Sequence, residues 1–414
     1  MDNTEIGKRI VSGMRAGLKG FAVSRGCQAA RASVAALVCF FVLIFGAGCG
    51  RKEQEEDIWL KNADLSADET KEELYEKAKK EDVLIIYTVS TRVTKVKEAF
   101  EKEYPGLFVE VRDLRSPDLI EAVKANYESG KSECDVVLCN DNSGAFKETL
   151  VDTGIVVPYL PADIAAHMKE GVKEGIVSFV YETQMLFYNA DRYESCPVDN
   201  LWALTDPRYK GKIYMPNPLR SFSTYAFCTA AFAHCEELEA AYRDYAGKEL
   251  EIPEGYDAAM VFWEKISKNI VFTNSSDEVV EALVNQSADF GIMVSSKMRL
   301  QDVGYHLQPV YRLKPFTGCR TSFAVMIARN SNNINTAKLF IRFLLGEADG
   351  TGEGYKPFNL LGTWSAREDV EDGTPVGLEK IDLIVPDTDE LIRRQNEMEK
   401  FWAEILKESA MVQE

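Results

Sequence analysis

The sequence predicts an α/β molecule with two lobes, each built on a doubly wound sheet. Three strand-then-helix units follow one another between residues 82 and 154, and a second alternation runs from 190 to 307. Two long extended passages connect these sets. Buried strands that alternate with amphipathic helices form mainly parallel sheets. Two such sets joined by extended passages imply two lobes with a cleft between them.

The first set is defined by three apolar runs, each followed by a helical pattern. The predicted strands are DVLIIYTVS (82–90), LFVEVRDL (107–114) and CDVVLCN (134–140). Apolar residues recur at helical spacing after the first of them, and Pro117 stands in the first turn of the second helix, a position that suits proline. A further helix is predicted over 64–81, with Ser66 as its cap.

The second set is longer and begins after the extended run GIVSFVYETQMLFYN (175–189). Helical patterns cover 226–242 and 255–269, and 279–296 is predicted to be a helix followed by a buried strand. Two more extended runs, HLQPVYRLKPF and RTSFAVMIARN, lead to the helical segments at 333–347 and 388–408.

The first 48 residues differ from the rest in composition. Six basic and two acidic side chains precede and flank the apolar run SVAALVCFFVLIFGA (33–47), which is short for a membrane span. This pattern is typical of an export signal, the alternative being an uncleaved anchor. The following GAGCG resembles a bacterial lipobox, which predicts lipid modification at Cys49 and a polar tether over 49–63.

The charge of the chain limits its partners. Its formal net charge is −18, and the segment 1–48 is basic, so the remainder is more acidic still. Nucleic acid is therefore an unsuitable partner, because its binding depends on many basic phosphate contacts. An anionic ligand must be bound by local donors.

Six cysteines follow Cys49, and the sequence predicts that they are mostly free, buried thiols. Cys228 and Cys235 lie too far apart on the predicted helix to form a disulfide, and Cys134 and Cys139 would point to opposite faces of a strand. The spacing of cysteines and histidines does not suggest a metal site. We expect no cofactor.

Four segments resemble the solute-binding proteins of ABC importers, in the group that binds ferric ion, phosphonates and sugar phosphates. They are LIIYTVSTRVTKVKEAFEKEYPGLFVEV, WALTDPRYKGKIYMPNP, AKLFIRFLLGE and FNLLGTWSAREDV. The resemblance covers residues 82 to 370 and implies a type II periplasmic-binding-protein fold, in which two lobes joined by a strand hinge close on a ligand.

The resemblance also implies a division of the chain. A signal peptide (1–48) and the tether precede lobe I, which comprises 64–178 and 322–348. The hinge passages are 179–189 and 308–321. Lobe II comprises 190–307 and 349–414, including the C-terminal helix.

Ligands of open α/β sheets bind at the carboxyl ends of strands, where helices begin. Four loops rich in hydroxyls or amides occupy such positions. The predicted ligand-binding residues are Ser90, Thr91, Asn142, Ser143, Arg220, Ser221, Ser223, Thr224, Ser295 and Ser296. Each loop taken alone is better explained as a helix cap than as a ligand contact. Their expected convergence on one cleft favours binding.

The nature of the ligand is predicted from the residues that follow ADFGIMV. Iron-binding members of the group carry tandem tyrosines there, whereas this chain has Ser295 and Ser296, whose hydroxyls do not ionise as phenols do. The guanidinium of Arg220 suits phosphate, phosphonate or carboxylate. Glu182 and Asp141 could accept a hydrogen bond from a sugar hydroxyl or an amine.

The resulting hypothesis is an extracytoplasmic, lipid-anchored, monomeric binding protein that delivers a small anionic solute to an ABC permease. A ferric-ion-binding protein of the same family is one alternative. A ligand sensor for a membrane histidine kinase is another. The third is a lipid-anchored two-lobe enzyme, although the sequence contains no nucleophile elbow, phosphate-binding glycine loop or HExxH motif.

Overall fold

The computed structural model describes residues 58–140, 144–347 and 349–413, with side chains described as far as residue 409. The signal peptide, Cys49 and most of the tether lie outside this part of the chain, as do Asn142 and Ser143. Residues 58–63 are helical and belong to a first unit that ends at Asp64, and residues 65–414 form a second compact unit. The description below concerns the second unit.

The strands, numbered in chain order, are β1 Leu84–Thr88, β2 Val109–Asp113, β3 Val136–Asn140, β4 Val156–Val157, β5 Val172–Lys173, β6 Ile176–Asn189, β7 Ile213–Pro216, β8 Ile270–Thr273, β9 Phe290–Val294, β10 Leu307–Pro309, β11 Gly318–Ala328, β12 Trp364–Ser365 and β13 Leu383–Ile384.

The α-helices are α1 Lys71–Ala78, α2 Val93–Glu103, α3 Ser116–Glu128, α4 Ala162–Ala165, α5 Phe222–Ala230, α6 Cys235–Ala246, α7 Ala258–Ser267, α8 Ser276–Val284, α9 Ile334–Leu345 and α10 Thr388–Gln413.

The main sheet has the strand order β2-β1-β3-β11-β6-β9-β7-β8. Its two flanks, β2-β1-β3 and β9-β7-β8, are parallel, as the alternating pattern predicts. The two long central strands β11 and β6 run antiparallel to each other and to their outer neighbours. The mixed α/β fold predicted from the sequence is therefore confirmed, with the long extended passages as the strands that join the two parallel sets.

Each parallel set has its own core. Buried side chains of the first set, including Val137 and Phe146, form one cluster. Those of the second set form another, in which the ring centroids of Trp263 and Trp402 are 5.5 Å apart. Trp402 lies on α10, so the C-terminal helix packs with the second set. Among the described residues, each parallel set therefore packs around its own cluster, while both sets share the central strands.

Part of the segment after α9 contacts the first set and the central strands. Trp364 in β12 pairs with Tyr181 of β6, and the ring of Phe358 lies 4.9 Å from that of Phe179. This packing holds the loop before β12 against the middle of the sheet. The lobe boundaries predicted from the sequence remain a prediction.

Three local elements differ from those expected. The first helix begins at Lys71 because Thr70 and Glu73 form a capping box, so Ser66 is not its cap. The helix predicted over 226–242 is interrupted by a 3-10 turn at Ala231–His234, and two acidic residues suit the new N-terminus of α6. After β3 the structure contains a π turn at Lys147–Val151.

The cysteines agree with the prediction. All six within the described residues are free, and four of them are buried, whereas Cys196 and Cys235 are half-buried. None of the helices in the described residues is both long and apolar enough to cross a membrane.

A buried ion pair fixes the N-terminal segment of this unit to α9. The side chain of Lys338 is only 2% exposed, and its Nζ lies 2.8 Å from Oε2 of Glu69. Burial opposes ionisation of Glu69, but the hydrogen bonds and charges of Lys338 and Lys77 outweigh it and hold the pKa of this carboxyl below its usual value. The ionised carboxylate therefore stabilises the fold above the unfolded-state pKa, and this contribution is lost as the pH falls below it.

Glu69→Gln is expected to lower the free energy of unfolding by about 3 kcal/mol at pH 7, because it leaves the buried ammonium without its carboxylate. The loss should shrink when urea unfolding is measured at acidic pH, as the pH falls through the lowered pKa of Glu69 and the carboxylate becomes protonated in the native protein. Glu76→Gln is the control, since the Glu76–Lys79 pair is exposed and such pairs contribute about 0–1 kcal/mol. Equal losses for both variants at pH 7 would contradict the assignment.

Candidate functional site

The register of the sheet brings the ends of the two parallel sets to its centre. Asn140, the last residue of β3, pairs with Phe323 of β11, and Val294, the last residue of β9, pairs with Gln184 of β6. Between them, Glu182 of β6 pairs with Thr321 of β11. The carboxyl ends of both sets therefore meet across the middle of the two central strands, where open α/β sheets place their ligands.

A cavity of about 780 Å³ lies at this position. It is bordered by the residues after β1, the end of β3, the turn after β9, the central strands and the loop before β12. Its polar and charged lining residues are Ser90, Thr91, Arg92, Lys95, Asn140, Glu182, Ser296, Lys297, Arg299 and Lys356. This volume is within the usual range for a small-molecule site.

The charge of this cavity is opposite to that of the protein. Five of its described lining residues are basic, and Glu182 is the single carboxylate among them, whereas the whole chain carries a formal charge of −18. Clefts lined by one sign of charge concentrate ligands of the opposite sign. The cavity is therefore suited to an anion.

Glu182 connects the two sides of the cavity. Its Oε1 accepts a hydrogen bond of 2.5 Å from Nη2 of Arg92, at the start of α2. Its Oε2 accepts a longer bond, 3.4 Å, from the hydroxyl of Ser296. The guanidinium of Arg92 also lies 5.1 Å from the centre of the Phe358 ring. These contacts fix the orientation of Arg92 before any ligand binds.

The other four cations of the lining differ in whether they have a carboxylate partner. Nζ of Lys297 is 2.5 Å from the carboxylate of Asp277, and Lys356 forms an exposed pair with Glu353. Arg299 donates to the main-chain oxygen of Ser296 at 2.6 Å. Within the described part of the chain, neither Arg299 nor Lys95 has a carboxylate partner at ion-pair distance. Among the described residues, these two cations are therefore without a neutralising carboxylate.

Two polar atoms of lining residues are buried without a hydrogen-bond partner among the described residues. They are Nη1 of Arg92, a donor, and Oδ1 of Asn140, an acceptor. An unsatisfied buried polar group costs about 1–3 kcal/mol. Such unsatisfied groups are more readily tolerated where a ligand or a conformational change can supply the missing hydrogen-bond partner.

Three of the residues predicted to bind ligand, Ser90, Thr91 and Ser296, line this cavity. Ser90 also accepts a 3.4 Å hydrogen bond from the backbone N–H of Arg92 and so helps to begin α2. Ser295 is fully buried, and its hydroxyl donates to the Gly362 carbonyl and accepts from the N–H of Thr183. That hydroxyl therefore joins three segments beneath the cavity.

The segment that carries Arg220 lies elsewhere. None of the predicted residues Arg220, Ser221, Ser223 and Thr224 lines the 780 Å³ cavity. Arg220 is exposed and donates to Oδ1 of Asn274 at 2.9 Å. The hydroxyl of Ser221 caps α5, where it accepts from the N–H of Thr224.

Residues adjacent to that helix start, including Phe222, contribute to a separate cavity of about 320 Å³. The hydroxyl of Thr224 accepts a 3.1 Å hydrogen bond from the side-chain amide of Gln184 in β6, so this helix start contacts the central strand without lining the cavity of Ser90 and Ser296. Asn142 and Ser143 lie outside the described residues, so their role in binding also remains a prediction.

Four cations of the lining stand next to predicted residues but were not themselves predicted. Arg92 and Lys95 follow Ser90 and Thr91 in the sequence STRVTK, and Lys297 and Arg299 follow Ser295 and Ser296 in SSKMR. These four cations could have been identified from the sequence, because each lies within one helical turn of a strand-end loop. Lys356 has no such signal, because it begins a short 3-10 turn, Lys356–Phe358, that does not follow a strand end.

The described residues contain no group of three or more histidine, cysteine, aspartate or glutamate side chains that could hold a metal ion. Tyrosines near the cavity are also poor anionic ligands. Burial raises the pKa of Tyr355, and burial and the carboxylate of Glu170 raise that of Tyr181. Their hydroxyls therefore stay protonated at neutral pH.

Solved structures with the same fold are numerous but distant in sequence. The apo ferric ion-binding protein A of Pasteurella haemolytica is 16% identical, with a TM-score of 0.59 over 78% of this chain and 98% of its own. The periplasmic binding protein AfuA of Actinobacillus pleuropneumoniae, with fructose 6-phosphate bound, is 18% identical, with a TM-score of 0.59 over 79% and 99%.

A substrate-binding protein of an ABC transporter from Agrobacterium tumefaciens is 13% identical and gives a TM-score of 0.60 over 79% of this chain and 94% of its own. At these identities the likeness establishes the two-lobed fold and leaves the ligand open. Among curated proteins, none matches the sequence.

Residues 95–379 match a protein family described as bacterial extracellular solute-binding protein. The match covers more than half of the chain and includes the central strands and most elements that border the cavity. It confirms the resemblance found in the sequence. The chain belongs to the bacterial extracellular solute-binding protein family, which acts by binding a solute for ABC import.

Proposed function

We propose that this protein binds a small anionic solute, such as a sugar phosphate or a phosphonate, in the 780 Å³ cavity and delivers it to an ABC permease. The observation that carries the proposal is the charge of the lining, with five basic residues and one carboxylate in an otherwise acidic chain. Charge-assisted hydrogen bonds to an oxyanion are the strongest that such side chains form.

The position of the cavity supports a binding mechanism based on closure. Its cations come from the first set, the turn after β9 and the loop before β12, which are connected through the central strands. An anion between them would be attracted to both sides at once and would favour a closed arrangement of the lobes. Delivery to the permease then requires only affinity and closure.

A ferric-ion function of the same family is less well supported. The neighbour from Pasteurella haemolytica binds ferric ion, but the described lining of this cavity contains no tyrosine and one carboxylate. A bare trivalent cation would be repelled by five basic side chains. The neighbour with bound fructose 6-phosphate provides a closer chemical precedent for a cationic cavity.

The proposal includes the location of the protein. The basic and apolar pattern of residues 1–48 and the GAGCG sequence support export followed by lipid attachment at Cys49. A lipid-anchored protein would remain near the permease in the membrane while its binding unit stays outside the cytoplasm. This part of the proposal rests on the sequence alone.

A thermal-shift screen tests the ligand class. The purified protein is heated with sugar phosphates, phosphonates, polyamines, thiamine and Fe(III), one at a time. An anionic ligand at 100 times its Kd is expected to stabilise the protein by about 2.7 kcal/mol, which raises the melting temperature by several degrees. Stabilisation by Fe(III) or by the cationic compounds alone would refute the proposal.

A further inference from the structure

The five cations of the cavity are not equivalent, and the difference bears on the charge of the solute. Arg92 is paired with Glu182, Lys297 with Asp277 and Lys356 with Glu353. Lys95 and Arg299 are the two basic lining residues that lack a carboxylate partner within the described residues. They belong to different parts of the sheet, since Lys95 lies on α2 and Arg299 follows β9.

The two unpaired cations are stable in the open cavity because water solvates them. A solute that fills the cavity displaces part of this water, and each cation then needs a negative partner or loses solvation free energy. A solute with one negative charge can neutralise only one of them. A solute with two negative charges can neutralise both.

Glu182 cannot serve as the second anion. Its carboxylate is already bonded to Arg92 and Ser296, and its side chain is only 16% exposed. Rotation toward Lys95 or Arg299 would leave the guanidinium of Arg92 without Glu182, and its buried donor Nη1 already lacks an acceptor among the described residues. Because Glu182 is the one carboxylate among the described lining residues, the second negative charge is expected from the solute.

We infer that the solute carries two negative charges on its anionic part, and that Lys95 and Arg299 are the residues that select for the second charge. This inference rests on the proposed function, because it assigns a substrate class to the same cavity. A phosphate monoester meets the requirement above pH 7, since its second pKa is about 6. A sulfate monoester has the same tetrahedral shape with a single charge.

Methyl phosphate and methyl sulfate therefore form a matched pair of probes that differ by one charge. Their dissociation constants are measured at pH 8 by calorimetric titration or by competition with an anion found in the thermal screen. We expect the native protein to bind methyl phosphate at least tenfold more tightly than methyl sulfate. Lys95→Met and Arg299→Met should each reduce this ratio to below about threefold, chiefly by weakening methyl phosphate.

Lys80→Met is the control, because Lys80 is an exposed cation at the end of α1 that does not line the cavity. It removes one positive charge from the protein and should leave the ratio at tenfold or more. Circular dichroism and melting temperature verify that each variant is folded. Loss of the ratio in all three variants would show an effect of net charge and would overturn the assignment of Lys95 and Arg299.

The outcomes separate this inference from the proposed function. If both esters bind with equal affinity, the cavity still binds anions, but the requirement for two charges is wrong. If neither ester binds at about 10 mM, the inference is also wrong, and the thermal screen alone decides whether another anion is the solute. A preference for methyl phosphate that persists in both cavity variants would assign the selection to other residues.

Discussion

Replacing Arg92 by methionine is expected to weaken the binding of an anionic solute by about 100-fold, equivalent to about 2.7 kcal/mol. The substitution removes one cation from the lining of the cavity and leaves the carboxylate of Glu182 without its 2.5 Å partner. That carboxylate would then repel the solute. The affinity is measured by calorimetric titration with the anion that stabilises the native protein most in the thermal screen.

A double variant tests whether the repulsion is real. In Arg92→Met/Glu182→Gln the unpaired negative charge is gone, although the lost guanidinium is not replaced. We expect about a tenfold recovery of affinity relative to Arg92→Met. If the double variant binds no better than Arg92→Met, the loss comes from Arg92 alone and Glu182 does not oppose the solute.

The same titration distinguishes two hypotheses about the site. The sequence predicts Arg220 as the arginine that binds the anion, whereas the cavity contains Arg92 and Arg220 is exposed beside Asn274. Arg220→Ala should leave the affinity unchanged if the cavity is the site. A large loss for Arg220→Ala with none for Arg92→Met would show that the ligand binds at residues 217–225 instead.

The sequence could predict most of the fold because its signals are local. Apolar runs of five to nine residues alternate with helical periodicity, so the strands and helices of both parallel sets were identifiable, and the two extended passages became the central strands β6 and β11. The exact start of α1 could not be identified from the sequence, because two nearby residues, Ser66 and Thr70, both suit a cap. Only the reciprocal bonds between Thr70 and Glu73 decide between them.

The site was predictable only in part, since it depends on strand order. The rule that ligands bind at strand ends identified Ser90, Thr91 and Ser296, which line the cavity. It applies equally to the end of β7, but β9 lies between β7 and β6 in the sheet. The helix start after β7 does reach β6, where Gln184 donates to the hydroxyl of Thr224, but it does not line this cavity. Strand order is not encoded by local periodicity, and neither is the position of Lys356.

Gly362→Ala is expected to lower the free energy of unfolding by about 2–5 kcal/mol, the sum of two costs. Gly362 has φ of +92°, where a side chain costs roughly 1–2 kcal/mol. An added Cβ would also lie 1.9 Å from the carbonyl oxygen of Ser295, and such overpacking costs about 1–3 kcal/mol. Ser295 cannot retreat easily, because its hydroxyl is bonded to Thr183 and to Gly362 itself. Urea unfolding measures the loss.

The same substitution should weaken binding of the anion at least tenfold, because Gly362 fixes the loop of Lys356 against the turn of Ser296. Gly106→Ala is the matched control, since Gly106 has φ of +94° but no atom within 4 Å of an added Cβ. It should cost only the backbone strain, about 1–2 kcal/mol, and leave affinity unchanged. If both variants lose the same stability, the contact with Ser295 contributes nothing. If Gly362→Ala binds the anion normally in its folded state, the loop before β12 does not form part of the binding site.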